Sequence, residues 1–275
     1  MKLESALQFS PNDLAIHLTR CFEGYVFPIA FTPSTVAALL RTDSIDLERT
    51  VVAFEEDELI GIAAVCRRQG ITRIGGMGVV KERRSQGIGH AMVGKVIDDM
   101  RSAHEHHLMV EVFEHNHRAR HFYQRLGFEE KHRLIGGQAV YTGEHPISRE
   151  LTLDYDRLAM ALAARGPVAF SWEHSPASAL QYTNATRVME CDGLFLAAHP
   201  LTETMVLIRV IALSGESDVK KLNSALGSLG LAYPGAVLQI PPYFPEPEFG
   251  PIFSDLRFTP APVAQIQLFL SVPNP

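Results

Sequence analysis

The stretch that most constrains this chain is MGVVKERRSQGIGHA at 77–91, where an apolar run passes through a short basic loop with two glycines directly into a helical pattern. Residues 72–80 read as a strand. Beyond the loop, Ile88, Met92, Val96 and Met100 recur at near-helical spacing, which predicts a helix over 86–104. Backbone N–H groups at a helix N-terminus have no partner within the helix and lie at the positive end of its dipole, so this turn can hold an anion such as pyrophosphate. Gly87 and Gly89 let the backbone approach an anion without an intervening Cβ, and Arg83 and Arg84 add positive charge. A tight turn with solvated arginines is the plainer reading of the same residues. The spacing is not G-x-G-x-x-G, and no Lys-Ser/Thr pair follows the glycines, so dinucleotide and P-loop patterns fit worse.

The flanking segments predict a helix over 12–24, capped by Asn12 or Ser10 and closed by Gly24, with Leu14, Ile16, Leu18 and Cys21 as its apolar side. A second short helix follows over 33–40. Strands over 50–54 and 59–66 form a hairpin around an acidic tip, and a turn RRQG leads into the strand before the loop. A strand over 108–112 and a helix over 118–126, ended by Gly127, complete a mixed α/β (α+β) arrangement. Polar and turn residues at 142–149 mark a boundary, giving domains at 1–143 and 150–275, and 275 residues fit two domains.

Beyond the boundary come a helix DYDRLAMALAA, a hairpin RVMEC and GLFLAA around Asp192-Gly193, a strand MVLIRVIAL, a helix DVKKLNSALGSLG and a strand AVLQI. This repeats the element order of the first half. Placing Phe258 on Phe128 brings Leu256 onto Leu126 and Phe253 onto Tyr123, while 236–240 falls on 108–112 after a two-residue offset. That offset aligns Gln239 with Glu111. The chain therefore reads as a diverged internal duplication.

No stretch approaches the roughly 18 consecutive apolar residues that cross a bilayer. The net charge of −6 disfavours a nucleic-acid partner and suits cationic small substrates. Three cysteines, an odd number without metal-like spacing, argue against a disulfide framework. The N-terminus has no apolar core of a secretory signal, and a cytoplasmic location is the expectation. His104, His106, His107, His115, His117 and His121 fall within eighteen residues but follow no zinc spacing, so no metal is expected.

Arg84-Ser85-Gln86-Gly87-Ile88-Gly89 resembles the R/Q-x-x-G-x-G/A pyrophosphate loop of the GNAT acyltransferases. Glu111-Val112, Asn116, Ala119 and Phe122-Tyr123-Gln124-Arg125-Leu126-Gly127-Phe128 resemble that family's second block. The resemblance covers about residues 50–130 and implies a tandem GNAT-like fold, with acetyl-coenzyme A as co-substrate between two splayed parallel strands. It implies cofactor contacts from Met77, Gly78 and Val79, from Arg84, Ser85, Gln86, Gly87, Ile88, Gly89 and His90, and from Asn116. The oxyanion donor is expected to be a backbone N–H near Met77 or Val79, where the family's strand bulges and where Gly76 and Gly78 suit a distortion.

Acyl transfer to an amine needs a deprotonated nucleophile, a stabilised oxyanion and a proton for the departing thiolate. Family members with a similar second block use a glutamate as base twelve residues before an acidic tyrosine, the interval between Glu111 and Tyr123. Glu111 is thus the candidate base, directly or through water, and Tyr123 the candidate acid. The plainer alternatives are a glutamate paired with a basic neighbour and a core aromatic. Asn116 is read as a ligand of the pantetheine, a helix cap, or both. Glu23 and Tyr25 lie on the acceptor side of the resembling fold, where they could meet a cationic amine, or simply cap and pack. The reading is an N-acetyltransferase acting on a primary amine; the alternative is a non-catalytic acyl-coenzyme A sensor. In the second half, Ser214-Gly215-Glu216-Ser217-Asp218 has no R-x-x-G-x-G and sets two carboxylates where pyrophosphate needs positive potential, so that half is expected to be degenerate.

Overall fold

The computed structural model describes residues 1–27, 29–68, 70–141, 154–164, 171–182, 186–191, 193–213 and 218–273. The boundary at 142–149, the segment 214–217, Asp192 and Gln69 lie outside the described residues. In chain order the elements are β1 (Lys2–Ser5), α1 (Pro11–Cys21), α2 (Pro33–Thr42), β2 (Val51–Glu55), β3 (Glu58–Arg68), β4 (Ile71–Val79), α3 (Ile88–Ser102), β5 (His107–Phe113), α4 (His117–Arg125) and β6 (Glu129–Val140). They continue with α5 (Tyr155–Ala164), α6 (Pro176–Ala179), β7 (Arg187–Cys191), β8 (Leu194–Thr202), β9 (Met205–Ala212), α7 (Asp218–Ala232), β10 (Val237–Pro245), α8 (Glu246–Asp255), β11 (Thr259–Pro260) and β12 (Gln265–Ser271). Two compact units result. The first comprises Met1–Val112, Asn116–Lys131 and Gln267–Pro275; the second comprises Phe113–His115 and His132–Ile266.

In the first unit the strand order is β1-β2-β3-β4-β5-β12. Ser10 caps α1 in a reciprocal box with Asp13, and Pro11 supplies the first helical position, where its missing N–H costs nothing. The buried side of α1 is Leu14, Ala15, Leu18 and Cys21. Ile16, expected on that side, is 59% exposed, because at 100° per residue it lies far from the stripe through Leu14 and Leu18. β1 has no clear apolar alternation and was not anticipated; its partner β2 supplies its register, Lys2 opposite Phe54 to Ser5 opposite Val51. In α3 the expected residues Ile88, Met92, Val96 and Met100 are all buried.

In the second unit the strand order is β6-β10-β9-β8-β7. Its apolar residues form two clusters. Leu194, Leu196, Val206 and Ile208 pack with Leu222, Leu226, Phe249 and Phe253 of α7 and α8. Phe195, Ala197, Val210 and Ala212 pack with Leu158 and Leu162 of α5. Alternation along the strands thus sends successive side chains to opposite faces, each covered by helices.

The two units share a repeat. α3 and α7 both have 15 residues, and Ile88 and Asp218, Ser102 and Ala232, His107 and Val237, and Arg125 and Asp255 are each about 130 positions apart in sequence. The helix ends agree in detail: Phe128 N–H donates to the Tyr123 carbonyl at 3.1 Å, and Phe258 N–H to the Phe253 carbonyl at 2.9 Å. In the parallel ladders, Ile71 opposes His107 to begin one and Met205 opposes Val237 to begin the other. This register needs no offset between strand and helix. Pro241, not Gln239, therefore occupies the position of Glu111, and Gln239 that of Met109.

Candidate active site

β4 and β5 run parallel only from Ile71/His107 to Arg73/Met109. β4 continues to Val79 and β5 to Phe113, so both extend well past their last shared rung. A bulge in β4 accompanies the separation: Val65 opposes Ile74 and Ala64 opposes Gly76, leaving Gly75 unmatched. The bulge thus falls before Met77 and Val79, where it was expected. A Cβ on Gly75 would sit 2.6 Å from Cys66 Sγ, so this distortion needs glycine. Gly78 serves another purpose: a Cβ there would lie 2.8 Å from the Cys21 carbonyl oxygen, and its absence lets the end of α1 rest on the strand.

From β4 the chain passes through a 3₁₀ turn (Lys81–Arg83) into α3, whose N-cap, Gly87, has φ +83°. Ser85 also has positive φ. A Cβ on Gly87 would meet no atom within 4 Å, so conformation and not crowding calls for glycine here. At Gly89 the nearest atoms are Phe122 Cζ at 3.4 Å and a Met77 methyl at 3.6 Å. The N–H groups of Ile88, Gly89 and His90 open the helix, and this exposed mouth fits an anionic diphosphate.

The loop arginines make contacts within the protein. Arg84 donates to the carbonyls of Val79 at 2.9 Å, Cys21 at 3.3 Å and Glu23 at 2.5 Å, fastening the loop to the end of α1. Arg83 is paired with Glu55. Gln86 donates to the Glu82 carbonyl at 3.2 Å, and Ser85 Oγ accepts from Arg118 at 3.3 Å.

Glu111 lies on β5 beyond the last rung, with its side chain fully buried. Its Oε2 is 3.3 Å from the guanidinium of Arg73 on β4, and its Oε1 accepts from Gln267 Nε2 on β12 at 3.0 Å. Arg73 is itself 3.6 Å from Asp43. The pairing compensates the burial of the carboxylate.

Tyr123 is buried on α4, edge-on to Phe122 and Phe128. Burial, and then the neighbouring Tyr25 hydroxyl, push its pKa well above the usual phenol range, so it is protonated at neutral pH. Tyr25 is raised by burial and partly offset by a side-chain hydrogen bond with Asn116. Asn116 also accepts from Ala119 N–H at 3.1 Å, capping α4. Tyr25, Asn116 and Tyr123 are thereby brought together. The Glu23 side chain is exposed, and its backbone is what anchors Arg84. Among the described residues, no group of three His, Cys, Asp or Glu side chains is arranged to hold a metal ion.

Residues 13–128 match the family model described as Acetyltransferase (GNAT) family. This segment is a GNAT domain. No curated protein matches the chain. Solved structures do: a GCN5-related N-acetyltransferase from Sphaerobacter thermophilus (TM-score 0.66, 12% identity, 100% of this chain and 96% of that one). A tandem GNAT protein from the clavulanic acid biosynthesis pathway aligns over 100% of both chains at TM-score 0.64 and 13% identity. Eis1 from Mycobacterium abscessus aligns over 99% of this chain and 74% of its own at TM-score 0.61 and 16% identity. At such identities the likeness concerns the fold, and the fold of this chain is a tandem GNAT fold.

Within the first unit, sequence reasoning missed Arg73 and Gln267. Both left a signal, as a charge and an amide inside otherwise apolar strand runs, ITRIGGMGV and QIQLFLS. The second unit lacks the counterpart of Arg73. Its β8/β9 pairing bulges at Arg209 as β3/β4 does at Gly75, which puts Leu207 at the position of Arg73 and Ala212 at that of Gly78. Phe253 stands at the position of Tyr123.

Proposed function

We propose that the GNAT domain transfers an acetyl or other short acyl group from acetyl-coenzyme A to a primary amine, and that the second repeat is a degenerate, non-catalytic GNAT-like domain. The observation that carries this reading is the early end of the β4/β5 ladder, which opens the two strands beside the glycine turn into α3. The diphosphate of the donor would take the N–H groups of Ile88, Gly89 and His90, with Gly87 and the Ser85-Gln86 backbone shaping the turn. Met77, Gly78 and Val79 line the β4 side, and Asn116 the α4 side.

The amine nitrogen attacks the thioester carbonyl and the carbon–sulfur bond breaks, giving an amide and coenzyme A thiolate. Glu111 takes the amine's proton, directly or through water, and Tyr123 gives its proton to the thiolate, recovering it from solvent. Burial favours a neutral tyrosine, the form that can donate. Glu23 and Tyr25 face the acceptor. The ion pair with Arg73 favours one further reading, in which Glu111 is a charge-paired strut and solvent removes the amine's proton.

The test is free thiol release from acetyl-coenzyme A over a panel of amino acids, polyamines, aminoglycosides and peptides with free amino termini. Turnover on an amine is expected. Tight binding of acetyl-coenzyme A with no turnover on the panel would make the chain a binding module. Turnover that survives Glu111→Gln would favour the strut.

A further inference from the structure

We propose that Gln267, on the last strand of the chain, is a positioning residue for Glu111, so that the acyl-transfer site of the first unit is completed by a residue 156 positions away. The inference rests on the reading of Glu111 as base.

β5 lies between β4 and β12, and the carboxylate of Glu111 is gripped from both neighbours. Arg73 on β4 faces Oε2 at 3.3 Å, and Gln267 on β12 donates to Oε1 at 3.0 Å. The two contacts differ in kind: an ion pair and a hydrogen bond. The first brings a cation that compensates a buried charge; the second brings a neutral amide that fixes the plane of the carboxylate without adding charge. Glu111 has three side-chain torsions to order, and a base acts only when it is held within hydrogen-bond reach of its proton.

Packing alone does not call for an amide at 267. Gln267 is fully buried between Ile266 and Leu268, also buried, and an apolar residue of similar size would fill that space without the cost of desolvating an amide. The amide sits where the carboxylate is. In the second unit, Pro241 and Leu207 occupy the positions of Glu111 and Arg73, and there is no carboxylate to orient.

The experiment compares Gln267→Met, which keeps the length and loses the donor, with Gln267→His, which keeps an N–H donor. The full chain is labelled with ¹³C-glutamate, and the carboxylate infrared band of Glu111 is assigned by its loss in Glu111→Gln. In Gln267→Met the Glu111 band is expected to shift, and kcat on the amine panel to fall roughly tenfold or more, as loss of a hydrogen bond to a charged group does, with KM for acetyl-coenzyme A unchanged. Gln267→His is expected to restore part of both. Thermal melting and acetyl-coenzyme A affinity check that each variant is folded. An unmoved Glu111 band, or wild-type kcat in folded Gln267→Met, would overturn the proposal. Wild-type kcat in Glu111→Gln, or no turnover on any amine, would instead sink the reading of Glu111 as base while the band still reports the contact.

Discussion

Arg73 and Glu111 place opposite charges in the interior of the first unit, with side-chain exposures of 8% and 0%. Removing one partner of a buried pair costs about 3–5 kcal/mol because the other charge remains desolvated. Arg73→Met is therefore expected to lower the unfolding free energy by about that amount in chemical denaturation, and Arg73→Met/Glu111→Gln to recover part of it. Tyr123→Phe removes one hydroxyl and keeps the buried ring. It is expected to lower turnover roughly 10²–10⁴-fold with little change in acetyl-coenzyme A affinity; undiminished turnover would remove Tyr123 from the mechanism. Cys21 gives a pH signature. Burial, opposed by Arg20 and Arg84, raises its thiol from 9.0 to about 11. Once unfolded, the thiol ionises near its ordinary value, whereas the folded thiol holds its proton to higher pH. Its contribution to stability is thus complete below about 9 and is lost as pH rises towards 11. Cys21→Ala is expected to flatten the fall of the melting temperature across that range.

At the scale of elements, the turn from β4 into α3 separates two glycines that look alike in sequence. Gly87 has φ +83°, which a β-branched residue adopts only under strain, although space around it is open. Gly89 is not at positive φ, and its Cβ would make ordinary contact with Phe122. Gly87→Val is expected to weaken acetyl-coenzyme A binding by roughly tenfold or more, and Gly89→Ala to change it little, by titration calorimetry. Equal affinities in wild type and Gly87→Val, with the fold intact, would rule out this turn as the diphosphate site. The same turn is tied to α1 by Arg84, which donates to three carbonyls and fastens the loop.

For the whole molecule, the two repeats keep the same length of long helix in α3 and α7, the same ladder starts and the same bulge position, yet they differ at the positions of Arg73, Gly75, Gly78, Glu111 and Tyr123. The second repeat puts Leu207, Arg209, Ala212, Pro241 and Phe253 there, so it has the frame without the carboxylate and the phenol proposed as base and acid. The expected stoichiometry is one acetyl-coenzyme A per chain, abolished by disrupting the 84–89 loop. Two sites by calorimetry would overturn the assignment of the second repeat as degenerate.

The sequence by itself determined what is local. The helix of α3 follows from the spacing of Ile88, Met92, Val96 and Met100, the turn from its glycines, and the end of α4 from Gly127, because each depends on torsions and neighbours within a few residues. The loop and the 111–128 block likewise marked a candidate site in the first repeat. Register was only partly legible: a two-residue offset aligned Glu111 with Gln239, and only the parallel ladder showed that Pro241 stands there. The tertiary structure alone decided which strands lie side by side. It put β5 between β4 and β12 in the first unit, and so brought Arg73 and Gln267 to Glu111. No periodicity along one strand encodes that choice, because the side chains that meet across a sheet are set by strand order and register between segments far apart in the chain.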